Sequence, residues 1–158
     1  MIGIHFTIPN NYGRCLGDIL EGINLGNTFW RINNDDAFLK TDITHPLFLK
    51  NYYMEREFFQ IIKGELYYVI SIKLQCFIKP YENKEVKTYE EFLKSSCELI
   101  LVINDNEEVT IYTKNQNWFN SIKDNIFKKE FKINWIKDEL SPEIINDFLQ
   151  SNLQGYIL

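Results

Sequence analysis

Long apolar runs, histidine and cysteine are all scarce in this chain of 158 residues. No stretch approaches the roughly 20 consecutive apolar residues that a helix needs to cross a bilayer, so no membrane span is expected. The opening Met-Ile-Gly-Ile-His-Phe-Thr-Ile has neither a basic leading segment nor a long apolar core, which predicts no export signal. Only Cys15, Cys76 and Cys97 carry thiols. Without export they fit free thiols in a reducing cytoplasm, not a disulfide framework. The two histidines are His5 and His45, and no Cys-x-x-Cys or His-x-x-x-His pair occurs. A zinc site needs three or four closely spaced ligands, so neither a metal nor any other cofactor is expected. Positive charge is short as well: 17 Lys and Arg face 22 Asp and Glu, for a net charge of −5. Such a chain gains little from counterion release, so general nucleic-acid binding is not expected. Its densest basic run, Lys123, Lys128, Lys129 and Lys132, is broken by Asp124 and Glu130 and reads as a solvated face. No repeat, low-complexity tract or linker divides the sequence, which predicts one domain over residues 1–158.

What the chain does have is apolar and aromatic bulk: 45% hydrophobic and 15% aromatic residues, enough to fill a core. The clearest pattern lies at 67–78, Tyr-Tyr-Val-Ile-Ser-Ile-Lys-Leu-Gln-Cys-Phe-Ile. Its even positions Tyr68, Ile70, Ile72, Leu74, Cys76 and Ile78 are mostly apolar and alternate with Ser71, Lys73 and Gln75; Val69 and Phe77 break the rhythm. A period of two predicts a strand with one face on a core and the other toward water.

Residues 2–8 alternate too, with Ile2, Ile4, Phe6 and Ile8 on one side and Gly3, His5 and Thr7 on the other, until Pro9 ends the strand. Tyr12, Leu16, Ile19, Leu20 and Ile23 recur at helical spacing over 11–24. A strand is expected at 28–32, a turn at the Asn-Asn-Asp-Asp of 33–36, a short strand at 37–40, a loop at 41–51 and a helix at 52–63 closed by Gly64. Thr88 followed by Glu91 is a capping box for a helix reaching about 96. The run 99–103 and the alternating 109–113 predict a hairpin. A helix carrying Trp118, Phe119, Ile122 and Ile126 follows, then a strand at 131–135. Ser141-Pro142 caps a last amphipathic helix, and the tail 155–158 is expected to dock in extended form. Strands with interspersed helices predict an α+β fold: a mainly antiparallel or mixed sheet with helices packed on one face.

Chemistry has one candidate location, the junction of the first strand and first helix. Cys15 sits in the first helical turn, where the helix dipole lowers a thiol pKa, and Arg14 adds positive charge beside it. His5 on the preceding strand is the candidate base. Gly13 and Gly17 flank Arg14 and read either as an anion cradle or as glycines permitting close helix–sheet packing. The paired carboxylates Asp35/Asp36, Glu55/Glu57, Glu90/Glu91 and Glu107/Glu108 read as solvated.

Phe29, Trp30, Tyr52, Tyr53, Tyr67, Tyr81 and Tyr112 exceed what a core strictly needs, and such rings favour protein interfaces. The leading expectation is therefore a non-catalytic binding or regulatory protein acting through protein–protein contacts. The alternative is a small enzyme, or an anion- or small-ligand-binding protein, centred on His5, Arg14 and Cys15. A homodimer through a sheet edge or the C-terminal tail is the third. The opening Ile-His-Phe-Thr-Ile-Pro-Asn-Asn-Tyr-Gly-Arg-Cys-Leu-Gly, within residues 1–30 and at this chain length, resembles a family of small uncharacterised Bacillus proteins known only as a domain of unknown function. The resemblance implies a bacterial cytoplasmic protein and carries no activity to transfer.

Overall fold

The computed structural model describes residues 1–23, 26–80, 84–138 and 142–154. Seven strands form one antiparallel sheet: β1 (Ile2–Thr7), β2 (Phe29–Leu39), β3 (Tyr52–Met54), β4 (Tyr67–Phe77), β5 (Cys97–Asn104), β6 (Glu108–Thr113) and β7 (Lys132–Lys137). Their order across the sheet is β3-β2-β4-β5-β6-β1-β7. Five helices accompany them: α1 (Cys15–Ile19), α2 (Glu55–Ile62), α3 (Tyr89–Lys94), α4 (Gln116–Lys128) and α5 (Pro142–Gln154). The α+β class is as the alternation of strands and helices implies. The expected cap at Ser141 and the docked tail at 155–158 lie outside the described residues, as does Tyr81.

Helices α1, α2 and α4 form the main layer. Leu16 and Ile19 of α1, Phe58 and Ile62 of α2, and Phe119, Ile122 and Ile126 of α4 join Ile4, Phe6, Ile72, Leu74, Leu101, Val109 and Ile111 of the sheet in one buried cluster. Three contacts fix how these helices meet. The Tyr67 hydroxyl accepts from the N–H groups of Leu16 and Gly17 at 3.1 and 3.2 Å and donates to the Ile62 carbonyl at 2.8 Å, so one side chain ties α1 to the end of α2. Asn125 Nδ2 donates to the Ile19 and Glu21 carbonyls, tying α4 to the end of α1. A Cβ at Gly17 would lie 2.7 Å from the Ile62 carbonyl oxygen. That glycine serves a close helix–helix approach and not a helix–sheet one, whereas the Gly13 backbone bridges to Tyr67.

The other sheet face is not open to water along β4. Helices α3 and α5 cover it through Phe92, Ile145 and Leu149, which pack on Phe77, Ile100 and Val102. Lys73 and Gln75, expected to be solvated, are 1% and 0% exposed. Both are satisfied internally, as buried polar groups must be. Gln75 donates to the Val86 carbonyl and accepts from its N–H, both at 2.8 Å, as a neighbouring strand would. The Lys73 ammonium meets Glu85 Oε1 at 3.0 Å and the carbonyls of Val86 and Leu149 at 3.3 and 3.4 Å.

The broken rhythm of β4 also has a cause. Asp36 pairs with Ser71 but the next residue, Ala37, pairs with Val69, so Ile70 is an extra residue in a bulge. One inserted residue flips every later side chain. Tyr67 and Val69 therefore share the core with Ile72, Leu74 and Cys76, and the expected core positions Tyr68 and Ile70 do not belong to it. The segment 33–36 is likewise not a turn: it continues β2 through register shifts, with Asn34 at φ 50°. The expected helix at 52–63 begins only at Glu55, because Tyr52–Met54 pair with Phe29–Arg31 as a short edge strand. The capping box is real, with Thr88 Oγ1 accepting from the Glu91 N–H, but the Glu91 carboxylate reaches back to Lys87 N–H.

Candidate functional site

Alternation along β1 decides the fate of the proposed Cys–His arrangement. Ile4 and Phe6 face the core that α1 covers. His5, between them, projects from the opposite face. There its Nε2 meets Glu108 Oε2 at 2.8 Å, its Nδ1 lies 3.0 Å from Asn134 Nδ2, and its ring stacks on Trp135 at 5.7 Å. The sheet stands between His5 and Cys15, so His5 is no base for that thiol. Burial pushes the Cys15 thiol up to about 12, with Asp18 adding to the rise. This corrects the expectation of an activated nucleophile: the thiol is a neutral group packed against the core. Arg14 Nε donates to the Gly64 carbonyl at 2.6 Å. At five residues, α1 presents little helix dipole for an anion. The structure thus leaves His5 apart from Cys15, and Arg14, next to Cys15 in sequence, is bonded to Gly64 instead. Cys97, also pushed up to about 12 by burial, and Cys76, raised well above its ordinary value by burial, are core thiols. Among the described residues no cluster of three metal-ligating side chains occurs.

A small cavity of about 210 Å³ does exist at the β1/α1 junction, lined by Cys15, Tyr12, Asp18, Tyr68 and Lys129 among others. A larger cleft, of about 530 Å³, opens between α2 and the 41–51 loop. Leu39, Leu47, Tyr53 and Ile61 give it an apolar floor, and His45, Lys50, Glu57 and Glu65 a polar rim. Its size and character suit a bound side chain or small ligand. The loop is pinned in place: the N–H groups of Leu49 and Lys50 both donate to the Tyr53 hydroxyl at 2.9 Å. The Lys50 ammonium lies 4.9 Å over the Tyr53 ring and 3.1 Å from Glu57. Phe48 and Tyr53 anchor this wall to a ring stack in which Trp30 lies 4.3 Å from Phe58.

The described rings among those singled out in the sequence do not form the exposed surface. Trp30, Tyr53, Tyr67 and Tyr112 are all buried, and Phe29 stacks on Tyr52. The exposed apolar side chains are mostly aliphatic instead, and three of the most exposed come from one segment: Ile43 at 67%, Leu49 at 73% and Met54 at 64%. Leu49 is at the lip of the cleft. Sequence reasoning passed over Ile43 and Leu49 because the 41–51 loop has no periodicity, and it counted Met54 among the helically spaced residues of the expected helix at 52–63.

These are the features of a small single-sheet α+β protein with an apolar-floored cleft beside α2. The chain belongs to the family described as protein of unknown function (DUF2691), whose model matches residues 1–143. The likeness thus runs far beyond the opening 30 residues that first suggested it. The chain is 34% identical over 143 residues to the uncharacterized protein YncE of Bacillus subtilis (strain 168), a match covering 87% of this chain and 92% of that relative. No solved structure matches. Among the described residues no helix is long and apolar enough to cross a membrane.

Proposed function

We propose that this chain is a non-catalytic binding protein of the cytoplasm that holds another protein through the cleft between α2 and the 41–51 loop. One observation carries the reading: Leu49, exposed in the 41–51 loop that also exposes Ile43, stands at the lip of a cleft with an apolar floor. An exposed Leu at 73% costs solvation in the free protein and gains it back when covered. Charged groups on the rim, Lys50, Glu57 and Glu65, would set orientation. Three unpaired cysteines agree with a reducing compartment.

The test uses tagged wild-type protein and a Leu49→Asp/Ile43→Asp variant, both incubated with host lysate. Both positions are mostly exposed, so the variant keeps its fold. A stoichiometric partner held by wild type and lost by the variant is the expected result. A partner held equally by both, or none at all, would remove the cleft reading.

A second reading, a small-ligand site at the β1/α1 junction, is favoured by the cavity that Cys15 lines. A ligand there would slow Cys15 alkylation further. An unchanged alkylation rate across a panel of small anions and neutral amides would eliminate it.

A further inference from the structure

Strand β7 ends the sheet, pairing with β1 along one side only. Among the described residues no backbone bond joins 132–137 to anything beyond that ladder. The pairing also fixes which way its side chains point. Lys132, Trp135 and Lys137 oppose Thr7, His5 and Gly3, so they project from the face away from the main core. Ile133 and Ile136 oppose Phe6 and Ile4, on the core side. The strand is therefore amphipathic across the sheet, with an exposed lysine at each end and Ile136 still 42% exposed. The Lys137 ammonium sits 4.7 Å over the Trp135 ring, which in turn stacks on His5, so the charged face is held in place.

An open edge of this kind can pair with a further strand, whether from a second copy or from a different protein. The lysines choose between the two. If β7 paired along its whole length with β7 of a second copy about a two-fold axis, Lys132 of each would lie beside Lys137 of the other. Two such like-charge contacts oppose the pairing.

We propose that the β7 edge receives an extended segment of another protein. That segment carries a carboxylate beside each lysine on one face and aliphatic residues beside Ile133 and Ile136 on the other. This surface lies at the opposite end of the sheet from β3 and the cleft, and it does not depend on the cleft reading. The sequence such a strand needs is short. Five residues of β1, Gly3 to Thr7, already span β7 from the inner side, so Glu-Val-Thr-Val-Glu has the right length and alternation for the outer side.

The experiment uses the full chain and two fluorescein-labelled peptides, Gly-Ser-Glu-Val-Thr-Val-Glu-Ser-Gly and the same peptide with both Glu replaced by Lys. Binding is read by anisotropy, and the site by hydrogen exchange of the 132–137 amides. The acidic peptide should bind, slow exchange in 132–137, and outcompete the basic one by roughly two- to thirtyfold, as two exposed ion pairs would give. Lys132→Glu/Lys137→Glu should invert that preference; both side chains are exposed, so the fold persists. The Leu49→Asp/Ile43→Asp variant should bind the peptide as wild type does, which separates this surface from the cleft. Exchange in 132–137 unmoved by millimolar acidic peptide would overturn the proposal. So would equal binding of the two peptides, or concentration-dependent protection of 132–137 without peptide, which would place a second copy on the edge.

Discussion

Removing Glu85, the more exposed partner of the buried ion pair, should damage the protein more than removing Lys73. Lys73 is 1% exposed, and its ammonium has Glu85 and two backbone carbonyls as partners. The Glu85 side chain is 17% exposed. In Glu85→Ala the ammonium stays buried with only carbonyls to face, and an uncompensated buried charge of this kind costs about 3–5 kcal/mol. In Lys73→Met the carboxylate left behind can turn toward water, and Val86 O keeps its bond from Gln75. That change should cost about 2 kcal/mol, close to one charge-assisted hydrogen bond. The double variant leaves no orphan charge and should be more stable than Glu85→Ala alone by at least about 1.5 kcal/mol. Urea unfolding at neutral pH, followed by far-ultraviolet circular dichroism, measures all three. For a domain of this size Glu85→Ala should lower Tm by between about 6 and 20 °C. The reasoning fails if Lys73→Met is the more damaging change, or if the double variant is worse than Glu85→Ala.

Three further outcomes are expected. Gly17→Ala should cost more than the usual helix-favouring gain from alanine, about 2 kcal/mol or more, since its Cβ meets the Ile62 carbonyl at 2.7 Å; thermal unfolding checks this. Tyr67→Phe removes an acceptor for Leu16 and Gly17 N–H and a donor to Ile62 O, and should cost about 1–3 kcal/mol with α1 amides exchanging faster. The raised pKa of Cys15, Cys97 and Tyr112, each pushed to about 12 by burial, means the folded state prefers their neutral forms. The stability this confers is complete below the ordinary values of 9.0 and 10.0 and is lost as pH rises toward 12. Unfolding midpoints should therefore fall steadily from pH 9 to 12 while staying flat from pH 7 to 8.5, and native Cys15 should alkylate at pH 8 roughly a thousandfold more slowly than in guanidinium.

Much of the architecture was legible from local pattern. The alternation of Ile2, Ile4 and Phe6, the hairpin around Asn104–Glu107 and the helical spacing of Trp118 to Ile126 each specify one element and its buried side, because period and turn chemistry act over a few residues. The same local rules predicted that His5 and Ile4 face opposite ways. They could not say that α1 would pack on the Ile4 side, which separates His5 from Cys15. Nor could they say that α3 and α5 would cover the second face and turn Lys73 and Gln75 into buried groups. The extra residue at Ile70 is invisible locally, since a bulge exists only relative to the partner strand. The α2 cleft, too, arises where a loop without period is pinned by the Tyr53 hydroxyl. Sequence alone determined most element types, though not the strand character of 33–36 and 52–54, and with them the α+β class and the family, because these depend on composition and short-range order. Tertiary structure alone decided which face each helix covers, which charges are buried and where the surface stays apolar, because those depend on contacts between residues far apart in the chain.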